Sequence, residues 1–225
     1  LHKEYRRQRQ MCIRDRSNDS QTGIFSVDFK TLQVQLEGKE FVPPVMILGS
    51  NDRLTVSFDE LKDDVNYLRY YLEHCDALWK PSGLVADEYV TGFNEGAVDD
   101  YRFSAANTVN YVHYSITIPN EDINVKLSGN YLLKVFAENN PGETLLQIRF
   151  SVSENLLSVT GNVSSRTDID TNGRHQQLDI TVDAGRSEVQ DLYNNLIVEI
   201  VCNGQSDNTR YIMPVSYTHL TLPTI

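Results

Sequence analysis

The sequence has few cysteines, one tryptophan, no long apolar run and a shortage of positive charge, and each of these narrows what the chain is. Its three cysteines (Cys12, Cys75 and Cys202) are too few and too scattered for a disulfide scaffold, and the count does not by itself decide the redox compartment. No stretch reaches the roughly 18 consecutive apolar residues of a membrane-spanning helix, so no membrane-spanning segment is expected. Low-complexity tracts and short-period repeats are absent, which leaves one large or two small globular domains. Lys and Arg number 20 against 31 Asp and Glu, a formal charge of −11 at pH 7. A surface of that sign repels phosphate backbones, so no nucleic acid is expected as a partner.

What cationic charge there is gathers at one end. "RRQRQMCIRDR" at 6–16 has the density of a nucleic-acid or membrane patch. Back-translated, however, residues 1–16 resemble a transposon-based sequencing adapter with its sample index, and "VSYTHLTLPTI" at 215–225 resembles the reverse complement of the same adapter. Both stretches are expected to be adapter-derived and are set aside from fold reasoning. Removing the six basic and two acidic residues of 1–16 leaves 14 basic and 29 acidic residues between Ser17 and Pro214, a formal charge of −15. A signal peptide is then expected to have been lost with the natural N-terminus.

Period-two alternation dominates the remainder. "LQVQLEG" puts Leu32, Val34 and Leu36 on one face, and "RLTVSFDEL" does so with Leu54, Val56 and Phe58. "YVHYSITIP" sets Val112, Tyr114, Ile116 and Ile118 against polar neighbours, and "LLQIRFSV", "QLDITVD" and "NLIVEIVCNG" repeat the signal. Such runs, separated by "PNED", "SGN", "NNPGE" and "TNG", predict short antiparallel strands joined by turns. The expected fold class is all-β: an immunoglobulin-like β-sandwich over 17–153, then a second, truncated β-sandwich domain over 154–214. "GNYLLKVFAENNPGETLLQIRFSV" should be a long hairpin closing the first domain. The best helix candidate is "SFDELKDDVNYL", which is short and has no sustained apolar stripe.

Few residues suggest chemistry. "EHCDALW" sets His74, Cys75 and Asp76 in a row, but on a strand adjacent side chains point to opposite faces, so a thiol and its base would not meet. Cys75 and Trp79 are expected in the core, with His74 or Asp76 bonding backbone at the strand end. "DIDTNGRHQQLD" places Asp168, Asp170, Asn172, Gly173 and Asp179 at calcium-loop spacing, with Asp where Glu is usual. The alternating "QLDITVD" that follows favours an Asx/Gly turn between strands instead, so the expected metal count is none. The acidic clusters "DELKDD" (59–64), "VDDY" (98–101) and "NED" (120–122) read as solvated turns, and no spacing specifies a carboxylate pair for glycoside hydrolysis. No catalytic residue, cofactor or small-molecule substrate is expected. Tyrosine is plentiful, suited either to protein contact or to half-buried strands.

The ordered strings "PPVMILGSNDRLTVSFDEL", "YYLEHCDALWKPSGLVADEYVTGF", "YVHYSITIPNED", "SGNYLLKVF" and "HQQLDITVD" resemble the N-terminal region of the type IX secretion system plug protein family. The likeness runs from about Phe29 to the end of the segment at Pro214, and "HCDALW" and "HYSITIPNED" are its most specific parts. The resemblance implies a non-enzymatic, exported protein of Gram-negative bacteria, built of β-sandwich domains in the periplasm at the inner face of the outer membrane. It implies one partner, the outer-membrane translocon barrel protein, whose periplasmic mouth it would occlude when no cargo is crossing. An exported carbohydrate- or protein-binding β-sandwich module is the alternative, and it would show two or three coplanar exposed Tyr or Trp rings. Amplified from its native locus without library adapters, the gene is expected to lack the codons for 1–16 and 215–225; their persistence would restore the basic arm.

Overall fold

The computed structural model describes residues 20–39, 41–105, 108–164, 175–183, 191, 195–201, 209–212 and 220–223. Two compact units divide the chain, one spanning Ser17–Glu154 and the other taking in Asn155–Ile225. The first contains β1 (Gly23–Ile24), β2 (Phe29–Leu36), β3 (Val45–Ile47), β4 (Leu54–Glu60), β5 (Leu68–Cys75), a single helical turn α1 (Ala86–Tyr89), β6 (Val90–Gly92), β7 (Glu95–Ala97), β8 (Asp100–Phe103), β9 (Val112–Ile118), β10 (Ile123–Val125), β11 (Gly129–Ala137) and β12 (Asn140–Ser153). One sheet runs β1-β12-β11-β5-β7, with β3 parallel to β12, and the other runs β2-β4-β9-β8. The fold is an all-β sandwich.

The alternation read from the sequence is what makes two sheets pack. On β4, Leu54, Val56 and Phe58 are fully buried, and so are Val112, Tyr114 and Ile118 on β9. From the facing sheet Leu72, Tyr131, Leu133, Val135, Leu146 and Ile148 are equally buried. At about 1.5–3 kcal/mol per buried large apolar side chain, this shared layer is the main stabilising term. Phe29 is buried on β2 although it lies an odd number of residues from Leu32. A bulge between Lys30 and Gln33, with Thr31 at φ 56°, resets the phase so that both face inward.

The β11–β12 hairpin forms as expected, with bulges around Phe136, but its turn falls at 138–139 and "NPGE" belongs to β12. The helix candidate does not: "SFDE" belongs to β4 and the residues after it cross to β5. Period two outweighs helix propensity there, because both edges of β4 are paired, by β2 and β9. Two acidic clusters also differ from expectation. Glu60 is fully buried, and "VDDY" runs into a paired strand, β8.

Tight approaches occur where only glycine fits. Gly92 has φ +97°, and a β-carbon there would lie 2.0 Å from the Asp122 carbonyl oxygen. Phe93 N donates to that oxygen across the β6–β10 pair (2.9 Å).

In the second unit, β13 (Ser158–Ser164), β14 (His175–Asp183) and β17 (Leu220–Pro223) form an antiparallel sheet, while β15 (Val198–Val201) pairs with β16 (Thr209–Ile212). β17 falls within 215–225, the stretch resembling adapter sequence.

Gly92→Ala should destabilise the first unit by about 2 kcal/mol or more, since it adds both left-handed strain and a backbone clash. Gly142→Ala, with nothing within 4 Å of the added carbon, should stay within about 0.5 kcal/mol of the parent. Urea denaturation of the two variants checks this.

Candidate functional site

"HCDALW" closes β5 with a turn held by its own side chains. Asp76 Oδ1 accepts from Leu78 N (2.8 Å) and Lys80 N (2.9 Å), and Asp76 N donates to Lys80 O (2.8 Å). This turn holds Trp79 at φ 63° and lays its ring against Cys75 and Leu132. The cluster is a small satellite, separate from the main core. The Arg149 guanidinium covers the Trp79 ring 4.3 Å from its centroid, a cation–π contact that closes the cluster. His74 is held at both nitrogens, Nδ1 to Ser82 Oγ (2.8 Å) and Nε2 to Ser128 O (3.3 Å). The bond to Ser128 is possible because Gly129 has no side chain; a β-carbon there would lie 2.3 Å from His74 Nε2.

Beside this turn a cleft of about 250 Å³ opens along β5. Tyr71, Glu73, His74, Leu84, Tyr89 and Asn94 are among its lining residues. Tyr89, placed by α1, donates its phenol to Leu72 O (3.1 Å), and burial raises its pKa. Glu73 is the one carboxylate of the lining, and it is bound to Lys134 Nζ at 2.7 Å. Burial alone would lower the Lys134 pKa, but the bonds to Glu73 and the Tyr71 contact raise it, so its ammonium stays charged. Asn94 Oδ1 is buried and accepts no hydrogen bond among the described residues. Exposed Val85 and Phe93 directly follow Leu84 and precede Asn94 in sequence. The single carboxylate of the cleft is bound to Lys134 and does not form the pair that glycoside hydrolysis needs.

The structure separates the residues that sequence adjacency suggested for catalysis. Cys75 faces Trp79, His74 faces the opposite side, and His113 lies on the other sheet, bonded to Asp59 (2.6 Å). Asp168, Asp170, Asn172 and Cys202 lie outside the described residues. Asp179 stands on β14 opposite Asn162 and accepts from Gln177 Nε2 (3.0 Å). Among the described residues no group of three or more His, Cys, Asp or Glu could hold a metal ion, and no helix is long and apolar enough to cross a membrane. Tyr101 and Phe103, exposed neighbours on β8, stand edge-on at 89°, so they form no flat sugar-binding platform. Sequence reading missed Asn94, Tyr89 and Ser82 as site residues, since only α1 and the turn after "HCDALW" bring them to β5.

Burial, with a smaller contribution from Glu73, pushes the Cys75 thiol up from 9.0 to about 11. The folded chain holds this proton more tightly than the unfolded one. The stabilisation is complete below about pH 9 and is lost as pH rises through about 11. In a Cys12→Ser, Cys202→Ser background, a thiol reagent at pH 8 should label Cys75 no faster than the chain unfolds. The share of alkaline destabilisation between pH 9 and 11 that belongs to this thiol should vanish in Cys75→Ala.

The family model for the type 9 secretion system plug protein 1st domain matches residues 29–154. A hypothetical protein from Parabacteroides merdae ATCC 43184, known from a crystal structure, is 30% identical with a TM-score of 0.83; the match covers 90% of this chain and 51% of that one. The chain thus spans about half the length of that protein. A Pseudomonas fluorescens alkylpurine DNA glycosylase, AlkC, bound to DNA containing an abasic site analog, is 11% identical over 56% of this chain and 30% of its own, with a TM-score of 0.29, too slight a likeness to bear on fold or function. No curated protein matches. The match to the plug domain covers more than half of the chain and falls inside the sandwich unit, and the chain belongs to the type IX secretion system plug protein family.

Proposed function

We propose that this chain is the leading part of a plug that closes the periplasmic mouth of the type IX outer-membrane translocon by steric occlusion. Membership of the family associates it with type IX secretion, as a component of the machinery rather than a known catalyst. The observation that carries the reading is the family match over 29–154, which lies within the compact sandwich Ser17–Glu154. A sandwich of this size is roughly 25–30 Å across, wide enough to obstruct a large pore. Its interior is filled and its sheets are tied by buried networks, as a body that blocks by shape requires. A plug must also leave, which favours a modest, polar-rimmed contact over an obligate apolar one. The acidic outer surface fits that kind of contact, because exposed charge sets encounter rate and specificity more than strength.

The test is a cross-linked pulldown of the tagged full-length protein from its native cells, read by mass spectrometry. An outer-membrane barrel should be recovered when no cargo is crossing and lost when cargo engages. Recovery of soluble proteins or glycans alone would overturn the plug and favour a binding module.

A further inference from the structure

We propose that the free edge of β8 pairs with β8 of a second copy of this chain, antiparallel about a two-fold axis through Tyr101. β8 is the outer strand of its sheet, and all four of its residues are exposed. Its register with β9 is set by Ser104 N donating to Tyr111 O (2.9 Å), which continues the pairing of Asp100 with Ser115 and Arg102 with His113. Bonded pairs alternate along an antiparallel ladder. Asp100 and Arg102 therefore direct their peptide groups at β9, and Tyr101 and Phe103 direct theirs outward. No backbone partner for those outward groups occurs among the described residues.

The side chains select the occupant. Tyr101 and Phe103 lie on the core-facing side, opposite Tyr114 and Val112, yet are 43% and 58% exposed. They form an apolar lip at the open end of the core layer. Asp100 and Arg102 lie on the outer face, and neither makes an ion pair among the described residues. With Tyr101 opposite Tyr101 of the second copy, Asp100 faces Arg102 of that copy, and Arg102 faces its Asp100. These two ion pairs fall at the non-bonded positions, where cross-strand side chains come closest. Sliding the second copy by two residues in either direction sets Arg102 against Arg102 or Asp100 against Asp100. The Asp-Tyr-Arg order is thus complementary to itself in one register, as a two-fold interface requires. Four residues bury little area, so the pairing is weak and reversible.

Sedimentation equilibrium of the 225-residue chain up to about 0.5 mM is the test. The parent should dimerise. Asp100→Arg and Arg102→Asp should each weaken association about tenfold or more, because both ion pairs become like-charge pairs. An equimolar mixture of the two variants should form the heterodimer, and the double exchange should restore the homodimer. A parent that stays monomeric, or single variants that associate as tightly as the parent, would overturn the proposal. A second readout does not depend on the charge variants. In the Cys12→Ser, Cys202→Ser background, Tyr101→Cys should cross-link on mild oxidation, since bonded Cα atoms stand about 5.5 Å apart. Phe103→Cys should not, its two copies lying about 13 Å apart along the strands. Equal cross-linking at both positions, or at neither, would refute the register.

Discussion

The phenol of Tyr114 is the fixed point on which the two sheets depend. Its ring is fully buried and stacked on Phe58 at 5.5 Å, while its hydroxyl donates to Glu60 Oε2 (3.1 Å) and accepts from Asn66 N (2.9 Å). Glu60 Oε1 in turn accepts from Asn66 Nδ2 (3.3 Å) and pairs with Lys62 Nζ (2.8 Å), and its carboxylate raises the Lys62 pKa. Residues 61–67 are where the chain leaves β4 for β5 and so changes sheet. A buried carboxylate without partners would cost several kcal/mol. Satisfying this one requires the crossover to take a single path, and that path determines how β5, and with it β11 and β12, lie over the other sheet.

The strings that mark the family do similar structural work. In "HYSITIPNED", Asn120 Oδ1 accepts from Asp122 N (3.0 Å) and Ile123 N (2.8 Å), and its amide reaches Tyr70 OH at 2.7 Å across the core. Gly92 exists to admit the Asp122 carbonyl that follows. In "HCDALW" the aspartate builds the turn and the histidine braces it. The bonds and close approaches of these residues serve the architecture. Contact with other molecules is left to the exposed faces and edges.

Those surfaces divide by strand position. The cleft beside β5 carries the Glu73–Lys134 ion pair and, among the described residues, a buried Asn94 carbonyl with no donor. The edge at β8 has peptide groups without a backbone partner and charges of both signs without an ion pair among the described residues. An exposed edge in an acidic chain is restrained from indiscriminate pairing by its charges, which accept one register and oppose its neighbours.

Much of the fold was legible because period two is a local property. Leu54, Val56 and Phe58, or Val112 to Ile118, announce a buried face without reference to any partner, and "NNPGE" announces a hairpin between β11 and β12, although the turn itself falls at 138–139. The charge balance was likewise legible, and with it the expectation that no nucleic acid is a partner. The depth of Glu60 was not legible, since its burial depends on Tyr114, 54 residues later in the chain. Nor was β8 recognisable in "VDDY", where propensity favours a turn and only the hydrogen bonds of β9 make a strand. The cleft has the same origin: α1, the β6–β7 turn and β5 are brought together by pairing between distant segments. Sequence alone determined the layers, because alternation is local; tertiary structure decided the polar interior, the cleft and the open edge, because those depend on which strands become neighbours.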